Sequence, residues 1–145
     1  MSELILKNNI IPAMTDQDLQ KVTELENEAF KYPQLSIEIQ HVFHAGIYAR
    51  TAILPENTLI TGALLKVPTI LIVNGDCTMF VGNESRRLTG YHVFSAAAGR
   101  KQAFVAHSRT ELTMMFATQS TTVDQVEQEF TDDFMRLNSR KVLDV

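Results

Sequence analysis

Between residues 36 and 118 the chain is a succession of short, apolar, β-branched runs broken by turn residues. No amphipathic pattern of about 10–15 residues, as a crossover helix would need, interrupts them. The spacing predicts strands at about 36–43, 47–54, 58–65, 69–73, 76–81, 84–88, 91–95, 102–107 and 110–117. The separators are Ala45–Gly46, Pro55–Glu56–Asn57, Lys66–Val67–Pro68, Asn74–Gly75, Gly82–Asn83, Ala98–Gly99 and Ser108–Arg109. Of these, Asn74–Gly75 is the strongest turn signal, because both residues tolerate the positive φ of a tight hairpin. Without crossover helices the strands must pair antiparallel, which favours a closed barrel or a sandwich over βαβ units.

A helix is expected on each side of this block. Thr15 is positioned to cap one, with Asp16 and Asp18 in the favourable first turn. Leu19, Val22, Leu25, Ala29 and Phe30 recur at helical spacing, and Pro33 stops the pattern. The second helix spans about 122–134, with Thr122 as its cap and Val123, Val126, Glu127, Phe130 and Phe134 in an approximate 3/4 rhythm. The domain reading is therefore an arm and helix over 1–35, a β-domain over 36–118, and a helix with an amphipathic tail over 119–145. Ile10–Ile11 reads as an arm or edge strand that needs a surface to lie on. Together with Ile5 and Met14 it is expected to add to a neighbouring subunit, and Leu137, Val142 and Leu143 to clasp one. A homo-oligomer follows as the expectation, a dimer first and a trimer or larger ring second.

The 145 residues are 45% hydrophobic and 21% charged, enough to build one ordinary core. The single cysteine excludes an intrachain disulfide and any multi-cysteine metal site. No signal peptide is read in the first residues, and no run approaches the roughly 18 apolar residues of a membrane span. A cytoplasmic protein with no membrane partner is expected. Charge is uneven: residues 1–50 carry seven acids against four bases, 51–118 four against six, and 119–145 six against three. A net charge of −4 argues against nucleic acid, whose backbone demands clustered positive charge. The positive middle leaves room for a small anion or an acidic partner.

No P-loop, dinucleotide-binding or nucleophile-elbow signature occurs. Cys77 sits inside an expected strand and reads as a small strand side chain. His41 and His44, three apart, point to opposite faces of a strand, which argues against a shared metal. Tyr48 and Arg50 share one strand face and can together hold a carboxylate, a phosphate, a buried acid or a backbone carbonyl. Arg86–Arg87 reads as a solvated hairpin edge. Arg100 and Lys101 follow the Ala98–Gly99 turn, as an anion site or as a soluble loop. His92 and His107 are the candidate proton-transfer groups if the protein is a pocket protein. No catalytic residue is assigned: no nucleophile–base pair is recognisable, and the balance is against an enzyme.

The stretch His41–Val42–Phe43–His44–Ala45–Gly46–Ile47–Tyr48–Ala49–Arg50, followed by Pro55–Glu56–Asn57–Thr58–Leu59–Ile60–Thr61–Gly62, resembles a family of small phage and prophage proteins with a cupin-like jelly roll. The resemblance continues through Val73–Asn74–Gly75–Asp76, Leu88–Thr89–Gly90–Tyr91–His92 and Ala98–Gly99–Arg100–Lys101, and ends in the acidic helix with Glu127 and Glu129. It covers about residues 38–135 and implies a mainly β fold, a cupin-like antiparallel jelly-roll barrel flanked by the two helices. The family often carries two histidines where spacing places Leu65 and Thr69, an arginine where Gln102 stands, and a further histidine where Phe116 stands. Since a cupin metal needs several convergent nitrogen and oxygen donors, neither a metal nor any other cofactor is expected. The resemblance implies a phage accessory or structural protein, in the host cytoplasm or on the virion. It would work non-enzymatically through an oligomeric surface that meets a virion or host protein. The alternative is a metal-independent cupin pocket that binds a small anion, with Tyr48, Arg50, His92, Arg100, Lys101 and His107 as its candidate residues.

Overall fold

Eight strands, two α-helices and one 3-10 turn make up residues 9–137, the part of the chain that the computed structural model describes. In chain order these are β1 (Ile10–Ile11), α1 (Asp16–Ala29), β2 (Glu38–His44), β3 (Ile47–Leu54), β4 (Thr58–Thr61) and β5 (Thr69–Val81). They continue with β6 (Glu84–Ala96), β7 (Ala103–Ala106), β8 (Thr110–Ala117), α2 (Val123–Phe130) and the 3-10 turn Phe134–Arg136. The sheet runs β1-β6-β5-β8-β3-β2, while β7 pairs with both β4 and the second half of β5. Ile5, Val142 and Leu143 lie outside the described residues.

Both helix caps form as their sequences dictate. The Thr15 hydroxyl accepts the Asp18 backbone N–H at 3.2 Å, and Thr122 does the same for Gln125 at 3.2 Å. The inner side of α1 departs from the expected apolar stripe. Its buried residues are Val22 and Glu26, whereas Leu25 and Phe30 stay 38% and 43% exposed. The helix meets the rest of the molecule along a narrow line, so residues one step round the cylinder remain wet.

The expected turn at Asn74–Gly75 is absent, and so is the gap between the expected strands 84–88 and 91–95. β5 and β6 run without a break through Asn74–Gly75 and Thr89–Gly90, in register with Gly75 opposite Gly90. The glycines serve a bend instead of a reversal. Gly75 has φ +150°, and a Cβ there would lie 2.6 Å from Thr110 Oγ1 and 2.7 Å from Arg109 O. At this point β5 changes neighbours, pairing with β8 through Ile70–Asn74 and with β7 through Cys77–Phe80. Two directly opposed glycines let the hairpin fold over where one sheet edge gives way to the next.

The expectation of purely antiparallel pairing is also corrected, because β1 lies parallel to β6, with Ile10 opposite Ser95. The arm covers the free edge of β6 in its own chain: the Ser95 and Ala97 N–H groups donate to Asn9 O and Ile11 O at 2.8 and 2.9 Å. Ile11 is fully buried in the main core. A strand that arrives from outside the meander to cover an edge can take either direction. The result is a mixed sheet.

Alternation divides the large sheet into two faces. Inward point Ile39 and His41 of β2, Tyr48, Arg50 and Ala52 of β3, Leu112, Met114 and Phe116 of β8, and Leu71 and Val73 of β5. Outward, the rungs Ser95–Ile70–Met115–Ala49–Val42 and Val93–Ile72–Thr113–Thr51–Gln40 carry no charged side chain. Inside, the main cluster of Leu54, Leu71, Val73, Met79, Phe94, Phe104 and their neighbours fills one end. A second cluster, Tyr48, Phe116, Val126 and Phe130, fixes α2 to the sheet.

Candidate functional site

Between the inward face of β2, β3, β8 and β5 and the segments β4 and β7 lies a partly enclosed cavity of about 170 Å³. Its apolar wall includes Ile39, Ala52, Leu71, Phe104, Leu112 and Met114, and its charged lining is Glu26, Arg50, Arg100, Lys101, Asp133 and Arg136. Strand alternation delivers Arg50. The loop before β7 delivers Arg100 and Lys101, α1 delivers Glu26, and the segment after α2 delivers Asp133 and Arg136; an isolated bridge between Leu65 and Arg100 holds the loop Arg100–Gln102 near the end of the β4 segment. The Gly62 N–H donates to Gln102 O at 2.8 Å, and the Leu65 N–H to Arg100 O at 3.0 Å.

Arg100 is 1% exposed. Its Nε donates to Gln102 Oε1 at 3.2 Å, and its two terminal nitrogens donate to Ala97 O at 2.6 Å and Thr69 Oγ1 at 2.5 Å. All three partners are neutral. Burial therefore pulls the guanidinium down to about 10, which leaves it cationic at neutral pH. Gln102, also buried, receives that bond on its oxygen while its Nε2 has no partner among the described residues.

The other bases each lie beside a carboxylate. Lys101 Nζ donates to Glu26 Oε2 at 3.0 Å, and the Thr61 hydroxyl donates to the same oxygen at 2.9 Å. Arg136, half exposed, reaches the other oxygen of Glu26 at 3.3 Å and lies over the Phe30 ring. Arg50 pairs at 2.9 Å with Glu127, which is fully buried, and its guanidinium sits 5.4 Å from the Phe130 ring centroid. Behind Arg50, its NH1 donates to Tyr48 Oη at 3.4 Å, and Tyr48 Oη meets His41 Nδ1 at 2.7 Å. Burial holds the His41 imidazolium form down, helped by the Arg50 charge and opposed by Glu127, while burial lifts the Tyr48 phenol.

The structure brings three of the six sequence candidates to the cavity: Arg50, Arg100 and Lys101. Tyr48 is fully buried and supports Arg50 from behind. His92 and His107 do not line the cavity. His92 Nε2 contacts Thr89 O at 2.8 Å, and exposed His107 contacts the Thr78 hydroxyl at 2.7 Å. Sequence reasoning missed Glu26 and assigned no role to Gln102 or Arg136. Glu26 had a readable signal: it stands one helical turn after Val22, a charge on the buried face of α1.

A metal centre of the kind other cupin-like proteins carry does not fit these residues. Leu65 lines the cavity with an alkyl side chain, the Thr69 hydroxyl is engaged by Arg100, and Phe116 packs edge-on against Tyr48 and Phe130. Among the described residues no three His, Cys, Asp or Glu side chains group where an ion could sit.

No protein-family model and no curated protein sequence matches the chain. Solved structures match in fold. KdgF from Halomonas sp. superposes with a TM-score of 0.51 over 66% of this chain and 89% of its own, at 17% identity. A salicylate 1,2-dioxygenase from Pseudaminobacter salicylatoxidans gives 0.50 over 70% of this chain at 15% identity, and the match spans 32% of that enzyme's length. The chain has a cupin-like fold with a mixed sheet. At such identities the likeness carries architecture alone. The cupin-2 domain of an XRE-family transcriptional regulator from Enterobacter cloacae is matched over its full length, at 15% identity and a TM-score of 0.46 over 59% of this chain.

Proposed function

We propose that this chain is a pocket protein that holds a small anion in its cavity, with Arg100 as the principal charge and Lys101, Arg50 and Gln102 around it. Closure of the sheet into a barrel, with the cavity as its interior, belongs to this reading. The observation that carries it is Arg100: a buried guanidinium with only neutral partners, beside an amide nitrogen that lacks one. A buried cation costs free energy unless an anion accompanies it, and an unpaired buried donor adds a further cost. Both costs fall when an anion enters. The surrounding apolar wall strengthens each hydrogen bond by excluding water.

The rival reading, a phage accessory or structural protein that acts through an assembled surface, is supported by the sequence resemblance alone. The inward aim of Arg50, Arg100 and Lys101 favours the pocket. Isothermal titration with a panel of small carboxylates and phosphates tests it. Saturable binding is expected in the wild type and is lost in Arg100→Met, with the fold checked by circular dichroism. Equal binding by a folded Arg100→Met would overturn the assignment.

A further inference from the structure

The charges around the cavity do not cancel, and the remainder identifies the ligand class. Lys101 and Arg136 share Glu26, Arg50 holds Glu127, and Asp133 of the lining adds a third carboxylate, so four bases face three acids. Among the described residues Arg100 has no carboxylate within ion-pair distance. A guanidinium offers five N–H groups, and three of those on Arg100 are engaged. Two more, with the free amide N–H groups of Gln102, suit the two oxygens of one carboxylate. They leave no spare cation for a second negative charge. A dianion would have to draw Lys101 away from Glu26 and leave that carboxylate, only about a tenth exposed, to the half-exposed Arg136 and the Thr61 hydroxyl.

The remaining wall is hydrocarbon, from Ala52, Leu71, Phe104, Leu112 and Met114. A volume of about 170 Å³ compares with the engineered apolar cavity of about 150 Å³ that accepts benzene. Hydrated phosphate oxygens would lose their water against such a wall without replacement. Building on the anion-pocket reading, we infer that the ligand is a compact monocarboxylate with an apolar body about the size of one six-membered ring. Its carboxylate meets Arg100 and Gln102 Nε2, and its body lies against Leu71, Phe104 and Met114.

Calorimetric titration of the full chain with benzoate, its neutral isostere benzamide, the dianion phthalate and inorganic phosphate tests this inference. Benzoate is expected to bind at one site per chain, at least tenfold more tightly than each of the other three. Gln102→Glu places a carboxylate beside Arg100 as a built-in anion, and is expected to raise the melting temperature and abolish benzoate binding. Ala52→Leu adds bulk to the apolar wall, and is expected to weaken benzoate at least tenfold while acetate binds as before. It serves as the readout should Gln102→Glu not fold. Phthalate or phosphate binding as tightly as benzoate would overturn the monocarboxylate class and leave the anion pocket standing. Benzamide matching benzoate, undiminished benzoate binding in folded Gln102→Glu, or no anion binding at all would overturn the pocket reading itself.

Discussion

His41 shows how a single side chain reports on the site without entering it. Its ring contacts the Tyr48 hydroxyl, and Arg50 and Glu127 stand beyond. Because its protonation is depressed from an ordinary 6.5, the unfolded chain takes up the proton first as pH falls. The stability this gives is complete above that value and is lost below it, down through the folded-state value. Wild-type protein is therefore expected to lose more melting temperature than His41→Gln between about pH 7.5 and pH 5, in parallel scanning calorimetry. An identical slope for both proteins would refute the assignment. Cys77 is the contrasting residue: fully buried, its thiol is pushed up to about 11 by desolvation and then by Asp76, which fits the inert strand residue expected from its flanks. At this scale much was legible. Alternation alone placed Tyr48 and Arg50 on one face. It had no means of pairing Arg50 with Glu127, which lies 77 positions away. Nor did it bring Glu26 to Lys101 across 75. Local patterns place side chains on faces, and only the folded chain decides which faces meet.

At the scale of elements, α2 is bound to the sheet by one aromatic cluster and one buried ion pair. Glu127→Gln removes the partner of a guanidinium that is one-tenth exposed, and is expected to cost about 3 kcal/mol in urea unfolding. The paired replacement Arg50→Met with Glu127→Leu, which takes both charges away, is expected to recover most of that loss. A Glu127→Gln protein as stable as wild type would mean that α2 is held by Val126 and Phe130 alone. Glu127 falls within the helical rhythm of Val126 and Phe130, and an acid in that position is the trace of the pair. Asn74–Gly75 is the opposite case. A glycine that reverses a chain and one that bends a continuous strand leave the same local signature. The difference is set by Thr110, whose hydroxyl and Cα crowd the position a Cβ would take. No window around residue 75 contains that information.

For the whole molecule, the outer sheet face is the feature that asks for a partner. Val42, Ile47, Ile70 and Val93 are each at least 40% exposed there, and the two central rungs are free of charge. A patch of this kind suits an interaction site, and two uncharged rungs, bordered by Glu111 and Glu38 on the next, are compatible with a second copy of the same face across a twofold axis. Light scattering is expected to give twice the chain mass at micromolar concentration, and Val42→Glu with Ile70→Glu to return a folded monomer. A wild-type monomer across that range would refute the expectation. Ile10 and Ile11, which the sequence offered to a neighbour's edge, instead complete the edge of β6 in their own chain. A sequence shows that an apolar arm needs a strand to lie on and is silent on whose strand it is.

That arm has a consequence for how the protein is made. Ile10 and Ile11 leave the ribosome before every other strand of the sheet, and their partners Ser95 and Ala96 follow 85 positions later. At about 5–20 residues per second, roughly 4–17 s of synthesis separate the two. Throughout that interval Ile11, destined for the core, has no place to go. The strand that finishes the sheet is translated first and docked last, so nascent chains spend their longest vulnerable period with this segment uncovered.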